Sequence, residues 1–177
     1  MAEQDIALMA HLMRRAGFGG TYQQVEAQAA KGYEATVEEL LRPEDQEPVD
    51  LFEFLRYHTS SWKPGTLGGI GQTSWVYRMI NTNAPLQEKM VLFWHSVFAT
   101  AYSKVTQGKV LMDQLRMFRR YGMGSFRTLL AELSRDPAMI IWLDNQDNHT
   151  GAINENYGRE LLELFSMGVG NYSEQDI

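Results

Sequence analysis

Ile6-Ala7-Leu8-Met9-Ala10-His11-Leu12-Met13-Arg14-Arg15-Ala16 places Ile6, Met9, Met13 and Ala16 three or four residues apart, on one face of a helix that Gly17-Phe18-Gly19-Gly20 then stops. The same spacing recurs along the chain, and sustained alternation of period two is hard to find. The sequence therefore predicts an all-α protein, a multi-helix orthogonal or bundle-like array. Thr21 with Gln24 forms a capping-box pattern for a second helix that Gly32 can close, and a third runs from about Glu34 to the break at Pro43.

Beyond a charged, proline-flanked loop, a short helix is expected from Leu51 to Tyr57. Residues 60–71 hold Pro64, Gly65, Gly68, Gly69 and Gly71 and read as a mobile, glycine-rich connection. Thr73 or Ser74 can cap a helix through Met79. Pro85 suits the first turn of a long helix reaching about Tyr102, and another spans about Lys109 to Tyr121. Ser125 caps a helix to Leu133, Asp136-Pro137 starts one through Leu143, and Asn154 starts one through Met167. Ser173-Glu174-Gln175-Asp176 reads as an N-cap with an acidic first turn, yet only Ile177 follows. The expectation is a single helical domain over residues 1–177, incomplete at its C-terminus and the N-terminal fragment of a longer protein, with the remainder of its own chain as one partner.

The chain has 177 residues, 44% hydrophobic and 21% charged, an ordinary globular composition. A chain of this size buries roughly 70% of the surface that its unfolded form exposes, enough for one core. It has no cysteine, which excludes disulfides, thiolate metal sites and cysteine nucleophiles. With 16 Lys+Arg against 22 Asp+Glu the net charge is −6, which disfavours bulk phosphate binding. No signal peptide and no membrane-spanning run is seen, so membrane insertion is not expected and a cytoplasmic location is the default.

Several stretches are recognisable together: His11-Leu12-Met13-Arg14-Arg15-Ala16-Gly17-Phe18-Gly19, then Phe93-Trp94-His95, then Leu143-Asp144-Asn145, then Asn154-Glu155-Asn156-Tyr157-Gly158-Arg159-Glu160-Leu161-Leu162-Glu163-Leu164-Phe165. In this order they resemble the bacterial family catalogued as domain of unknown function 1800, from about Ala10 to the last residue. The resemblance implies a longer parent protein and no established activity, so it transfers no catalytic residue. The family pattern often places a second histidine two positions after the Trp-His pair, where this chain has Val97.

Glu155, Arg159 and Glu163 follow one another at i, i+4 steps, an ion-pair ladder along one helix face. Alternatively Glu155 or Glu160 faces a cleft, with Arg159 holding a carboxylate ionised or gripping an anionic substrate. His95 lies mid-helix among Val91, Leu92, Phe93, Trp94 and Phe98, surroundings that favour the neutral imidazole. It is either a hydrogen-bonded core histidine or, with Glu155, Glu160 and a further ligand from His149, a divalent-metal site of nitrogen and oxygen donors. No H-E-x-x-H or comparable spacing supports the metal, and no cofactor is predicted.

The loop Asp144-Asn145-Gln146-Asp147-Asn148-His149-Thr150-Gly151 resembles a calcium loop in composition, but its glycine comes at the eighth position rather than the sixth. Asx turns and helix capping account for the same residues. Arg116, Arg119, Arg120, Arg127 and Arg135, interleaved with Phe118, Tyr121 and Phe126, make a basic run without a nucleic-acid motif, and no nucleic-acid partner is expected. The glycines at 17, 19 and 20 lack the preceding strand and following lysine of a phosphate loop.

Two functional classes follow. One is a helical binding or scaffold domain in which Asp144, Asn145, Asp147, Asn148, Asn154, Asn156 and Arg159 organise structure or contact an unidentified protein partner. The other is a metal-dependent hydrolase or oxidoreductase whose site joins His95 to Glu155 and Glu160. The second requires His95 and those carboxylates to converge.

Overall fold

The computed structural model describes residues 3–56 and 67–177 and is helical throughout, with no strand among those residues. In chain order the α-helices are α1 (Glu3–Arg15), α2 (Tyr22–Lys31), α3 (Tyr33–Leu41), α4 (Phe52–Arg56), α5 (Leu67–Asn81), α6 (Pro85–Val97), α7 (Gly108–Tyr121), α8 (Phe126–Leu133), α9 (Pro137–Trp142) and α10 (Asn156–Glu160). Among the described residues, none of these is long and apolar enough to cross a membrane.

The first three helices form an N-terminal layer. Thr21 caps α2 reciprocally with Gln24, each side chain bonding the other's backbone N–H, and Gly32 ends it at φ 100. Thr36 is buried where α3 meets α2, its hydroxyl donating to Gly32 O at 2.9 Å. The layer joins the rest through α3 against α6 and through the turn after α1. There a Cβ on Gly17 would stand 2.9 Å from Pro85 Cβ, and Lys89 Nζ donates to Gly17 O at 3.0 Å. The glycine is needed because backbone meets ring at that contact.

Helix α7 is the axis of the remainder, packing against α5, α6, α8 and α9. The buried core gathers Val91 from the middle of α6 and Phe98 just past its end, Phe118 from α7, Leu129 and Leu133 from α8, Met139 from α9 and Leu143 just past it. Trp94 stacks on Phe98 at 5.4 Å, and its Nε1 donates to Gly122 O at 2.6 Å, tying α6 to the end of α7. Two buried polar links accompany the apolar contacts. Thr100 Oγ1 donates to Gln114 Oε1 at 2.6 Å, and Gln114 Nε2 donates to Asp136 Oδ1 at 2.8 Å, the same oxygen that caps α9 through Met139 N. Glu88 on α6, 2% exposed, takes both Nε and Nη2 of Arg119 on α7.

Three boundaries differ from the sequence expectation, and the acidic turn at the end matches it. Of the glycine-rich connection, residues 60–66 lie outside the described residues, while Gly68, Gly69 and Gly71 belong to α5, which starts at Leu67 rather than at a cap on Thr73 or Ser74. The reason is packing: a Cβ on Gly71 would approach Met112 Cγ to 3.2 Å, so the glycine brings α5 close to α7, which outweighs its poor helix propensity. Helix α6 stops at Val97, short of Tyr102, because the chain turns inward to bury Phe98 and Thr100. The helix expected from Asn154 to Met167 is α-helical only over α10 and then widens to a π turn at Leu161–Ser166, where Met167 N reaches Leu162 O at 2.8 Å and Phe165 packs edge-on against Phe98 at 5.0 Å. The final acidic turn forms a 3-10 helix at Glu174–Asp176, with Ser173 N donating to Asp176 Oδ2 at 2.8 Å.

Replacing Gln114 by Leu strands the Thr100 hydroxyl and removes one of the donors to a buried carboxylate. Urea unfolding of Gln114→Leu is expected to show a loss of roughly 2–4 kcal/mol, and Thr100→Val, which removes only one donor, roughly 1 kcal/mol.

Candidate functional site

His95 occupies the stripe of α6 that contains Val91 and Phe98, and that stripe faces α5 and α7. There its ring bounds a cavity of about 240 Å3. Trp75 from α5 forms the adjoining wall and meets His95 edge to face, with ring centroids 5.4 Å apart. Thr100 and Tyr102 come from the segment after α6, and Leu111, Met112 and Leu115 close the α7 side. The chamber is mostly apolar, with a few polar groups at its edge, as small-molecule sites are.

Two of those groups are unusual. His95 Nδ1 and Trp75 Nε1 are both buried and have no hydrogen-bond partner among the described residues. A buried polar atom left unpaired costs about 1–3 kcal/mol, so two on touching rings mark a place where packing alone does not explain the residues. Burial pushes the His95 pKa below its ordinary value, keeping the imidazole neutral, able to donate from one nitrogen and accept at the other. The Tyr157 phenol is also buried but lies against the core, where burial raises its pKa and the neighbouring Ser134 hydroxyl opposes the rise.

The other expected site residues lie elsewhere. Glu155 is exposed and approaches Arg159 at 3.7 Å, while Arg159 holds Glu174 in a two-pronged pair at 2.7 and 3.0 Å. The ladder is not completed: the π turn begins at Leu161, and Glu163 accepts from the Tyr172 hydroxyl at 2.8 Å. Glu155, Glu160 and His149 do not line the His95 cavity, and no three His, Asp or Glu side chains gather as a metal set among the described residues. The convergence that a metal-dependent hydrolase or oxidoreductase requires is therefore not found among them. Val97, at the position of the second histidine, is partly exposed.

The polar loop is held together by its own side chains. Asp144 adopts the left-handed conformation at φ 59, with its carboxylate on Lys104 Nζ at 2.7 Å and its carbonyl on Asn154 Nδ2 at 2.9 Å. Asn156 N donates to Asn154 Oδ1 at 3.0 Å, and Asn156 Nδ2 donates to Leu143 O at 3.2 Å. Asn148 Nδ2 reaches Asn145 Oδ1 at 3.4 Å, and His149 Nδ1 meets Asp147 O at 2.8 Å. These are the Asx-turn and capping roles, fixing how α9 leads into α10. In the basic run Arg119 is taken by Glu88, Arg116 by Asp113 and Arg135 by Glu132, while Arg120 lies over the Tyr121 ring.

Sequence reasoning passed over Trp75, Glu88 and Gln114. For the two helix-buried polar residues a signal existed: Glu88 falls three before Val91, and Gln114 four before Phe118, each on an otherwise apolar stripe.

A histidine held neutral by burial takes up its proton later than the unfolded chain does. Stability is thus full above the unfolded value of about 6.5 and falls as pH drops from there toward the lower folded value. His95→Gln is expected to lose less stability than the parent between pH 7.5 and pH 5.5, measured by urea midpoints, and the His95 ring resonances are expected to titrate below those of an exposed histidine.

No curated protein and no solved structure matches the chain. What its motifs resemble is borne out over nearly its whole length: residues 11–177 match the family described as Protein of unknown function (DUF1800), and the chain belongs to that family.

Proposed function

We propose that this is a helical binding domain whose α5–α6–α7 cavity takes a small, uncharged, largely apolar molecule with one polar group. The observation that carries the reading is the coincidence of a cavity with two unpaired ring nitrogens, His95 Nδ1 and Trp75 Nε1, on the rings that bound it. Both nitrogens are withdrawn from solvent on rings that line the cavity. Trp75 N–H can only donate, so the occupant carries an acceptor such as a carbonyl or hydroxyl oxygen; neutral His95 can complement either role. An apolar cavity of about 150 Å3 accommodates benzene. A chamber of about 240 Å3 suits a ring with a few substituents. The scaffold part of the proposal belongs to the loop of Asp144, Asn145, Asp147, Asn148, Asn154 and Asn156, whose side chains hold backbone rather than face a ligand.

A panel of single-ring compounds with and without one carbonyl or hydroxyl, read by tryptophan fluorescence and by shift in Tm, tests this. A saturable binder is expected among the oxygen-bearing compounds, weakened about two- to tenfold by Trp75→Phe and by His95→Leu, as the loss of one neutral hydrogen bond predicts. Binding that ignores the oxygen, or is unchanged in both variants, would sink the reading, as would a panel with no binder.

A further inference from the structure

One turn beyond Ser74 and Trp75 on the same face of α5 stands Arg78, which borders a second, smaller recess between α5 and α7 together with Arg116 and Arg119. Arg78 is half-buried, and it makes no hydrogen bond or ion pair among the described residues. That is unexpected, because a charge withdrawn from water is ordinarily paired. The carboxylates near it are bonded to other cations. Glu88, whose charge acts on Arg78 without a hydrogen bond to it, takes Nε and Nη2 of Arg119, and Asp113 is shared between Lys109 and Arg116. Residues 57–66, outside the described set, contain no aspartate or glutamate that could serve instead.

Three guanidinium groups therefore border one recess in which the nearest carboxylates are already taken. Arg119 keeps Nη1, and Arg116 keeps Nε and Nη2, without an acceptor among the described residues. The recess has about 40 Å3 of free volume. At ~10–15 Å3 per water centre this is space for about three waters, the room a carboxylate or phosphate group would take.

We propose that this recess is a binding site for a small oxyanion, the carboxylate or phosphate group of a small-molecule ligand, with Arg78 as its main anchor and Arg116 and Arg119 beside it. A planar guanidinium presents paired donors that match two oxygens of such a group. Burial first, and then the Arg119 charge, lower the Arg78 pKa, with the Glu88 charge acting the other way; since arginine stays protonated regardless, an anion rather than proton loss completes the relief of its charge. Ser74 borders the same recess, with its hydroxyl proton held by Gly71 O at 3.0 Å.

The test is a titration of the full chain with sodium phosphate and, separately, sodium acetate at constant ionic strength, following the arginine Nε–Hε resonances by NMR. A saturating one-to-one shift of the Arg78 signal is expected with at least one anion; saturation by phosphate alone assigns a phosphate-bearing ligand, and saturation by acetate a carboxylate. Arg78→Gln is expected to weaken the effective anion about tenfold to a hundredfold, the range of a lost charge-assisted bond, while Lys31→Gln on the far layer leaves it unchanged. Arg78→Lys, which keeps the charge but not the fork, is expected to weaken it several-fold and serves if the glutamine variant loses helicity. Shifts that grow linearly without saturation for both anions, or equal affinity in the Arg78 variants, overturn the proposal. Arg78 does not line the His95 cavity, so this test and that of the cavity fail independently.

Discussion

The architecture hangs on one buried amide. Gln114 has no exposed surface, and it holds Thr100 with its oxygen and Asp136 with its nitrogen, so one side chain on α7 fixes both the turn after α6 and the start of α9. An amide is suited to this because it carries a donor and an acceptor on one planar group. Asp136 is the counterpart. Burial raises its pKa, and bonds from Met139 N and Gln114 act against that rise, so the carboxylate is both a helix cap and the far end of the buried chain. Any other relative placement of α6, α7 and α9 leaves one of these groups unpaired, which makes the link directional where the surrounding apolar contacts are not.

Much of the fold was legible because local chemistry and tertiary structure agree. Thr21 with Gln24, Asp136 before Pro137, Pro85 at a first turn and Gly32 between two helices each have only one economical backbone role, and each plays it. The differences arise where a long-range contact overrides the local signal. Gly68, Gly69 and Gly71 look like a connection until α5 is seen to start at Leu67, and at Gly71, which Met112 approaches, the absence of a Cβ becomes a packing asset. The π turn at Leu161–Ser166 is invisible to a period of 3.6, because it follows from fitting Phe165 against Phe98. That extra residue per turn also separates Glu163 from Arg159, which is why a regular ladder in sequence becomes two unrelated contacts in space.

The site was partly legible for the same reason. His95 could be singled out as a polar residue on an apolar stripe, and it does border a cavity. Glu155 and Glu160 were linked to it by chemistry alone, and spacing in one helix says nothing about the distance to another. Trp75 and Arg78 fall inside the helix expected through Met79, three residues apart, and escaped notice because only the packing of α5 on α6 and α7 reveals which of its polar groups go unpaired. Density of polar residues also misled: the richest polar loop uses its side chains on its own backbone, whereas the unpaired groups sit in the apolar interface of α5 with α6 and α7.

That interface holds two kinds of site within one wall. Gly71, Trp75, Met112 and Leu115 border both the His95 cavity and the Arg78 recess, so the close approach at Gly71 that seats α5 on α7 shapes both. Withdrawal from water acts on the two basic groups in the same direction and lowers the pKa of each. The outcomes differ because their starting points differ. An imidazole that ordinarily titrates near 6.5 responds by losing its proton and becoming a neutral hydrogen-bonding ring, whereas the far more basic guanidinium keeps its charge at any physiological pH. Burial thus sorts the wall into a neutral chamber and a cationic recess without a change of fold, and the two proposed occupants, an uncharged ring and an oxyanion, differ for that reason.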